Sequence, residues 1–436
     1  MERRPVTTPI RERQLFPESP QRPPALLLNP NYYGTLAAVR CLGRRDIPVV
    51  VAGPERFAFS SWSRFAGRRL VAPSPDDPEH LLEWLVRFGE AEPGHVLYPT
   101  SDDVASLVAA HRDRLEPHFR LFQPPSSVLR SLLDKRALHD LCSAVGLLTP
   151  HTFFPRSDAD LREIAKSARF PLLIKPITQV GFRTHAKGEG LTDASRLVER
   201  YHAFRAINEV RPVPGGMVQD SAWPMLQQMH AEARTAIYTL AGFVTRDGRV
   251  KALASRKVLQ RPRTLGIGLG FEAAALDATL LEGVAALCRA AGYFGAFEVE
   301  FIETAGGMLL IDFNPRFYSQ MEFEVCRGLP LPLIAYEAAL GRDDAFNANG
   351  LPSPGRSVYT HGLLFELLVR GQLVTGRMSV DEGRRWRIWR REHRGDAVDA
   401  VSDEDDPLPR LFDTLRIVRQ MAMQPRSFAR QYWLEE

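Results

Sequence analysis

Short apolar runs separated by helical stretches mark the first quarter of the chain. Ala25 to Leu28 is one such run. A turn containing Gly34, a helical pattern and a second run, Val49 to Ala52, follow it. Runs that are apolar on both faces and joined by a helix-length crossover read as buried parallel strands of a β-α-β unit. A later strand, HVLYPTSDD, ends in a polar turn at Thr100 to Asp103, and the alternation continues to about residue 125. The pattern predicts a small open parallel sheet over residues 25–125. In such sheets ligands sit beyond the carboxyl ends of the strands, where Asn29, Asn31, Thr100, Ser101 and Asp102 fall. The first strand is followed by Gly34 alone and not by G-x-G-x-x-G, so the turn reads as an ordinary strand-to-helix connection and not as a dinucleotide site.

The periodicity then changes. Residues 126–150 read as one helix, with Ser126 or Ser127 as its cap and Gly146 and Pro150 marking its end. A helix near Ser157 to Ala168, an apolar strand FPLLIKP, a polar stretch from Ile177 to Gly190 and a helix from about Ala194 follow. Met225 to Ala254 is strand-like, and Asp247-Gly248 between apolar runs predicts a hairpin. After a helix at Ala275 to Ala291 come two strands, AFEVEFIE and GMLLIDFN, joined at Thr304 to Gly307. This middle part reads as α+β, with mainly antiparallel sheets carrying helices on one side. Beyond Gly341 the character changes again. Asn347 to Gly355 reads as a linker, residues 378–396 are dense in charge around Trp386 and Trp389, Val401 to Pro409 is an acidic loop, and a last helix runs from about Arg410. The organisation is therefore a flexible leader over 1–24, an α/β domain over 25–125, an α+β region over 126–345 and a C-terminal extension over 346–436.

Composition narrows the function classes. A chain of 436 residues is long enough for more than one core. A net charge of +4 is small for that length and gives no case for nucleic acid as a partner. Cys41, Cys142, Cys288 and Cys326 are far apart and show no C-x-x-C spacing, which argues against a disulfide framework or zinc site and fits a reducing compartment. The Arg- and Pro-rich start has no apolar core of a signal peptide, and no run of about 18 apolar residues occurs, so the expected location is cytoplasmic and away from membranes.

The chemistry concentrates in GAFEVEFIETAGGMLLIDFNPRF. Side chains alternate along a strand, so Asp312 and Asn314 point to one face and the hairpin brings Glu300 beside them. Two carboxylates and an amide oxygen on rigid strands form a hard-oxygen site suited to Mg²⁺. Arg316 follows on the same face, where a fixed guanidinium meets a phosphoryl group or carboxylate. A solvated acidic hairpin is the plainer alternative, but the apolar flanks (Phe297, Val299, Phe301, Leu309, Leu310, Ile311) argue for buried strands, in which carboxylates need partners. Lys175 closes the apolar strand of FPLLIKP, a costly place for an ammonium unless it meets an anion.

This combination resembles the metal-binding end of the ATP-grasp superfamily, in particular its carboxylate–amine ligases, and more broadly D-aspartate ligase-like and biotin carboxylase-like enzymes. The resemblance covers about residues 25–340. It implies an ATP-grasp fold: a pre-grasp α/β domain, then two α+β subdomains clasping ATP. It also implies Glu300, Asp312 and Asn314 as Mg²⁺ (or Mn²⁺) ligands and Arg316 as a catalytic arginine. Lys135 in SLLDKRALHDLC and Lys175 stand where the family holds the ATP phosphates. The stretch Thr178, Gln179, Gly181, Gly188, Gly190 stands where it has a glycine-rich loop. PMLQQMHAEA resembles the adenine hinge, giving Gln227, Gln228, Met229 and His230, with Glu232 as a ribose ligand. SRKVLQRP offers Arg256 and Lys257 as catalytic cations, of which strand alternation sends only one to the site, and Gly266, Gly268 and Gly270 follow. The chain departs from the family at Asp312 and Gln228, where the family more often has Glu and an acid. The implied activity joins a carboxylate to an amine through an acyl phosphate, with small-molecule substrates, ATP spent to ADP and phosphate, and a homodimer. Carboxylation through carboxyphosphate, a non-catalytic ATP-binding module, and an interaction role for the Arg/Trp-rich tail are the alternatives.

Overall fold

The structure, a computed structural model, describes residues 22–180, 188–207, 223–263, 266–347 and 356–434. Three sheets organise them. The first is parallel and comprises β1 (Ala25–Leu27), β2 (Val49–Gly53), β3 (Arg68–Val71), β4 (His95–Leu97) and β5 (Phe119–Arg120), in the order β3-β2-β1-β4-β5. Strands β1 and β2 are buried along their whole length because helices cover both faces, which is why they read as unbroken apolar runs. The chain steps outward from β1 to β3, then returns to β4 on the other side of β1. The strand order therefore reverses between β1 and β4.

The second sheet is antiparallel and comprises β6 (Thr152–Phe153), β7 (Leu172–Lys175), β8 (Glu189–Leu191) and β9 (Met225–Gln228), in the order β6-β9-β7-β8. Helices Asp158–Ser167 and Leu197–Ile207 bury Leu161, Tyr201 and Phe204 against Leu172 and Ile174. The third sheet is the largest: β10 (Ile237–Val244), β11 (Val250–Arg261), β12 (Ile267–Ala274), β13 (Gly295–Thr304), β14 (Gly307–Asn314), β15 (Val358–Thr360) and β16 (Ala397–Asp399), in the order β14-β13-β10-β11-β12-β15-β16. All its pairs are antiparallel except β15 with β16. The expected Asp247-Gly248 hairpin joins β10 to β11, with Gly248 at φ +83°, a conformation glycine adopts without strain.

Two expectations are corrected. Residues 126–150 are not one helix but two, Ser126–Leu133 and Lys135–Val145, broken at Asp134. Asp134 is extended (φ −86°, ψ 115°), and its carboxylate accepts hydrogen bonds from the N–H groups of Arg136 and Ala137, capping the second helix. Neither Ser126 nor Ser127 caps the first. Pro125 occupies the cap position, and Ser126 is already the first helical residue.

Residues 356–434 are built into the body. Strands β15 and β16 extend the large sheet, and helix Val380–Glu392 lays Trp386 and Trp389 against Phe365. Arg40 of the first long helix and Asp406 form an ion pair at 2.9 Å with both side chains 1% exposed. Among the described residues no helix is long and apolar enough to cross a membrane.

Candidate active site

The register of β13 and β14 sets Glu300 directly opposite Asp312, and Glu298 opposite Asn314. Partners across a sheet share a face, so these four side chains lie together. A β-bulge makes this possible. Phe301 pairs with Leu310 and Glu300 with Asp312, leaving Ile311 as an extra residue on β14. In regular pairing Glu300 would meet Ile311, and the two carboxylates would lie on opposite faces.

Cations meet this face from separate elements. Lys257 on β11, 4% exposed, donates to Glu300 Oε1 at 2.5 Å and to the Gly266 carbonyl at 3.4 Å. Lys135, the first residue of its helix, pairs with Asp312 Oδ1, its side chain 9% exposed. Its backbone N–H donates to Ile177 O at 2.9 Å, which ties the helix start to the segment just after Lys175 at the end of β7. Arg256 is the exception among the expected cations. It points to the opposite face of the sheet and pairs with Glu303 at 3.1 Å, both side chains about two-fifths exposed. The reason is the two-residue period of the strand, which gives the site one of the two neighbours, Lys257.

Arg316 uses its whole guanidinium. Nε and Nη2 donate to the two carboxylate oxygens of Asp102 at 2.8 and 3.1 Å. Nη2 also donates to Asn314 Oδ1 at 2.9 Å, and Nη1 donates to Tyr32 OH at 3.2 Å and Phe317 O at 2.9 Å. Burial is the largest single influence and works against its charge, but the Asp102 carboxylate, helped by Tyr32 and Glu298, holds its pKa above the ordinary arginine value. Asp102 opens helix Asp102–Ala110, so the first sheet is tied to β14 through one bidentate ion pair.

Glu298 was not singled out in the sequence, although the E-x-E spacing in FEVEF places it on the face of Glu300. It is 2% exposed and accepts from Asn314 Nδ2 at 2.6 Å and Gln320 Nε2 at 2.9 Å. Burial, and then the charge of Glu300, push its pKa up to about 7 against the pull of Lys257. Its contact with the Asn314 amide nitrogen turns the Asn314 oxygen toward the face shared with Asp312 and Arg316.

A groove runs between the second and third sheets, lined by Lys135, Leu138, Thr152, Met225, Gln227, Leu310 and Ile311 among others. Gln227 faces it and donates to Thr152 Oγ1 at 3.2 Å. The N–H groups of Gln228 and Met229 are used within the sheet, donating to His151 O at 2.8 Å and Pro171 O at 3.0 Å. His230 is half-buried, and its Nε2 is buried without a hydrogen-bond partner among the described residues. Glu232 is exposed on the short turn Ala231–Arg234. Gly190 lies on β8 opposite Leu173, and Gly188 just precedes that strand. Gly181 lies outside the described residues. Gly266 serves its own loop: a Cβ there would stand 2.1 Å from Pro262 O.

The donor set suits Mg²⁺. Glu300, Asp312 and the Asn314 amide oxygen are hard donors on one face. Among the described residues no three His, Cys, Asp or Glu side chains gather closely enough to hold a metal ion by themselves. An ion held here would take its remaining ligands from phosphate oxygens and water, the usual habit of Mg²⁺.

No protein-family model matches the chain, and no curated protein matches it. Solved structures do. Biotin carboxylase from Campylobacter jejuni, in complex with β,γ-ATP, is similar over 73% of this chain and 71% of its own, with a TM-score of 0.57 and 13% identity. The biotin carboxylase domain dimer of Hydrogenobacter thermophilus 2-oxoglutarate carboxylase, with MgADP, ADP and bicarbonate, is similar over 73% and 70%, with a TM-score of 0.58 and 17% identity. N5-carboxyaminoimidazole ribonucleotide synthetase from Thermus thermophilus is similar over 76% and 81%, with a TM-score of 0.55 and 16% identity.

Proposed function

On the premise that this chain has the ATP-grasp fold, shared with those structures, we propose that it is an ATP-dependent ligase joining a carboxylate to an amine through an acyl phosphate. The observation that carries this reading is the single face bearing Glu300, Asp312, Asn314 and Lys257, with Lys135 reaching it from a second element and Arg316, just after β14, closing it against Asp102 at the edge of the first sheet.

In this reading ATP lies in the groove beside Gln227 with its phosphates toward Lys135 and Lys175. A carboxylate oxygen of the first substrate attacks the γ-phosphorus. The bond from that phosphorus to the bridging oxygen breaks, and ADP leaves with the electron pair. Lys135, Lys175 and Lys257 offset the charge on the transferring group, and positioning supplies most of the rate. Mg²⁺ held by Glu300, Asp312 and Asn314 would neutralise phosphate charge. The amine nitrogen then attacks the acyl carbon, the carbon–oxygen bond to phosphate breaks, and the departing phosphate takes up the amine proton. Arg316 keeps its fork on Asp102 and Asn314. It acts as a fixed positive charge near the developing oxyanion.

The test is Mg-ATP turnover against amino acids and small carboxylates, singly and in pairs with amines, with bicarbonate included and products weighed by mass spectrometry. ADP release that needs both an acid and an amine, with a product mass equal to their condensation, supports the ligase. ADP release that needs bicarbonate alone replaces it with carboxylation, and ATP bound without ADP under every pair replaces it with a non-catalytic module.

A further inference from the structure

A second cavity of about 280 Å³ lies apart from the nucleotide groove, in the first sheet. Asn29 and Tyr32, just after β1, stand on one side, Glu55 after β2 and Ser74 after β3 extend it, and Ser101 after β4 closes it. All these positions lie beyond the carboxyl ends of parallel strands, and β1 and β4 are the pair between which the strand order reverses. Chain connections diverge at such a point and leave a crevice, which is where open α/β sheets bind ligands. The local backbone is shaped for it. Asn29 adopts φ 55° and turns the chain out of β1, with its side-chain amide donating to Thr100 Oγ1 at 3.3 Å. Gly53 lets the next residue of that turn close in, since a Cβ there would stand 2.4 Å from Pro30 Cδ.

The chemistry of the walls selects the ligand. Three prolines and the Tyr32 ring give rigid apolar surface, and amides and hydroxyls give hydrogen bonds. Among the described residues that line the cavity, Glu55 carries the one charge; it is exposed and accepts from the Asn31 amide. A carboxylate or phosphate would meet no cation there. A compact ligand with an ammonium group meets a carboxylate, and the volume falls just below the usual range of ligand pockets, roughly 300–1,000 Å³, which suits a small compound. The cavity also adjoins the reaction face, because Tyr32 lines it and its hydroxyl accepts from Arg316 Nη1 at 3.2 Å.

We propose that this cavity holds the acceptor amine, and that the acceptor is a small cationic compound whose second ammonium or hydrogen-bond-donating group rests on Glu55 while its reacting nitrogen faces Arg316. The assignment rests on the ligase reading for the word acceptor, but the binding it predicts does not.

The test uses the full chain without nucleotide and follows 1,4-diaminobutane, ethanolamine, succinate and inorganic phosphate by saturation-transfer NMR, with Mg-ATP affinity recorded in the same samples as the control for folding. The two amines are expected to bind and the two anions not to. Amine affinity falls about tenfold in Glu55→Gln and is lost in Ser74→Trp, which fills the cavity, consistent with the worth of a charged hydrogen bond. Anion binding that Ser74→Trp abolishes, or amine binding indifferent to both substitutions, overturns the proposal. Absence of Mg-ATP binding in the unmodified chain would sink the ligase reading instead and leave the amine result to be judged separately. Once an acid–amine pair is known, Glu55→Gln should raise the KM for the amine about tenfold with little change in the KM for ATP. A change in both alike would overturn the acceptor assignment.

Discussion

Arg316 shows how much one side chain can organise. Its fork satisfies both oxygens of Asp102 and its second terminal nitrogen holds the Asn314 amide oxygen, so it links the first sheet to β14. A lysine keeps the charge but loses the planar, bidentate geometry. Arg316→Lys is therefore expected to lower the rate of ADP formation about 10²-fold, in the range of a lost oxyanion donor, with ATP affinity changed only a few-fold; steady-state kinetics beside calorimetric ATP titration checks this. Glu298 acts one step further back, through Asn314 and Gln320. In Glu298→Gln the new amide nitrogen confronts one of two donors, and Asn314 loses its fixed orientation. The apparent Mg²⁺ affinity should weaken by roughly 10–100-fold, the usual effect of removing a partner behind a metal ligand, and a magnesium titration of ADP release reads it. Strand alternation and the hairpin placed Glu300, Asp312 and Asn314 together in the sequence, and the register sets Glu300 opposite Asp312; the bulge at Ile311 that makes this possible was not legible, because it adds a residue that no simple two-residue period contains.

At the scale of elements the reading of periodicity succeeded where burial is one-sided or complete. The β-α-β unit, the Asp247-Gly248 hairpin and the β13–β14 hairpin stand where their patterns placed them. It failed at Asp134, since a helical repeat runs unbroken through residues that fold as two helices. The break is visible only in the backbone, where Asp134 leaves the helical region and spends its carboxylate on the next helix's free N–H groups. That cap stands one residue before Lys135, so it also fixes where the lysine enters the site. Asp134→Ala should destabilise the chain by about 1 kcal/mol, the ordinary value of an N-cap, and should weaken ATP binding as the first turn frays. Asp134→Asn, which keeps a capping oxygen, should restore most of both. Urea unfolding and ATP titration of the two variants distinguish a cap from a mere surface charge.

Across the whole molecule, buried ionisable groups set the conditions under which the parts stay together. The C-terminal region is tied in by the Arg40–Asp406 pair and by β15 and β16, so ending the chain after residue 347 should remove two strands from the large sheet and leave insoluble protein, and not a detached ATP-binding core. The same junction holds Glu322 and Glu324, 6% and 1% exposed on helix Met321–Cys326, and His361 at 4%. Glu322 Oε2, Glu324 Oε1 and both nitrogens of His361 lack hydrogen-bond partners among the described residues. Burial pushes Glu322 up to about 7 and Glu324 up to about 8 from an ordinary 4.5, and pushes His361 down to about 3 from 6.5. For the two acids the unfolded chain ionises first as pH rises above 4.5, so stability falls with increasing pH until each folded pKa is passed. For His361 the unfolded chain takes up the proton first as pH falls below 6.5, so stability falls toward acid. Above pH 4.5 the loss on the two acids exceeds the gain on the one histidine, so stability declines from there toward pH 8, with a lower melting temperature at pH 8 than at pH 6. Glu324→Gln keeps an oxygen to accept from Tyr318 OH, which donates to Glu324 Oε2 at 2.9 Å, and removes one ionisation, so its melting temperature should change less between those two values. Melting curves of both proteins across that range decide the matter: a melting temperature that rises steadily to pH 8, in either protein, would mean that these acids are charged in the folded state and that the junction is wetter than its packing implies.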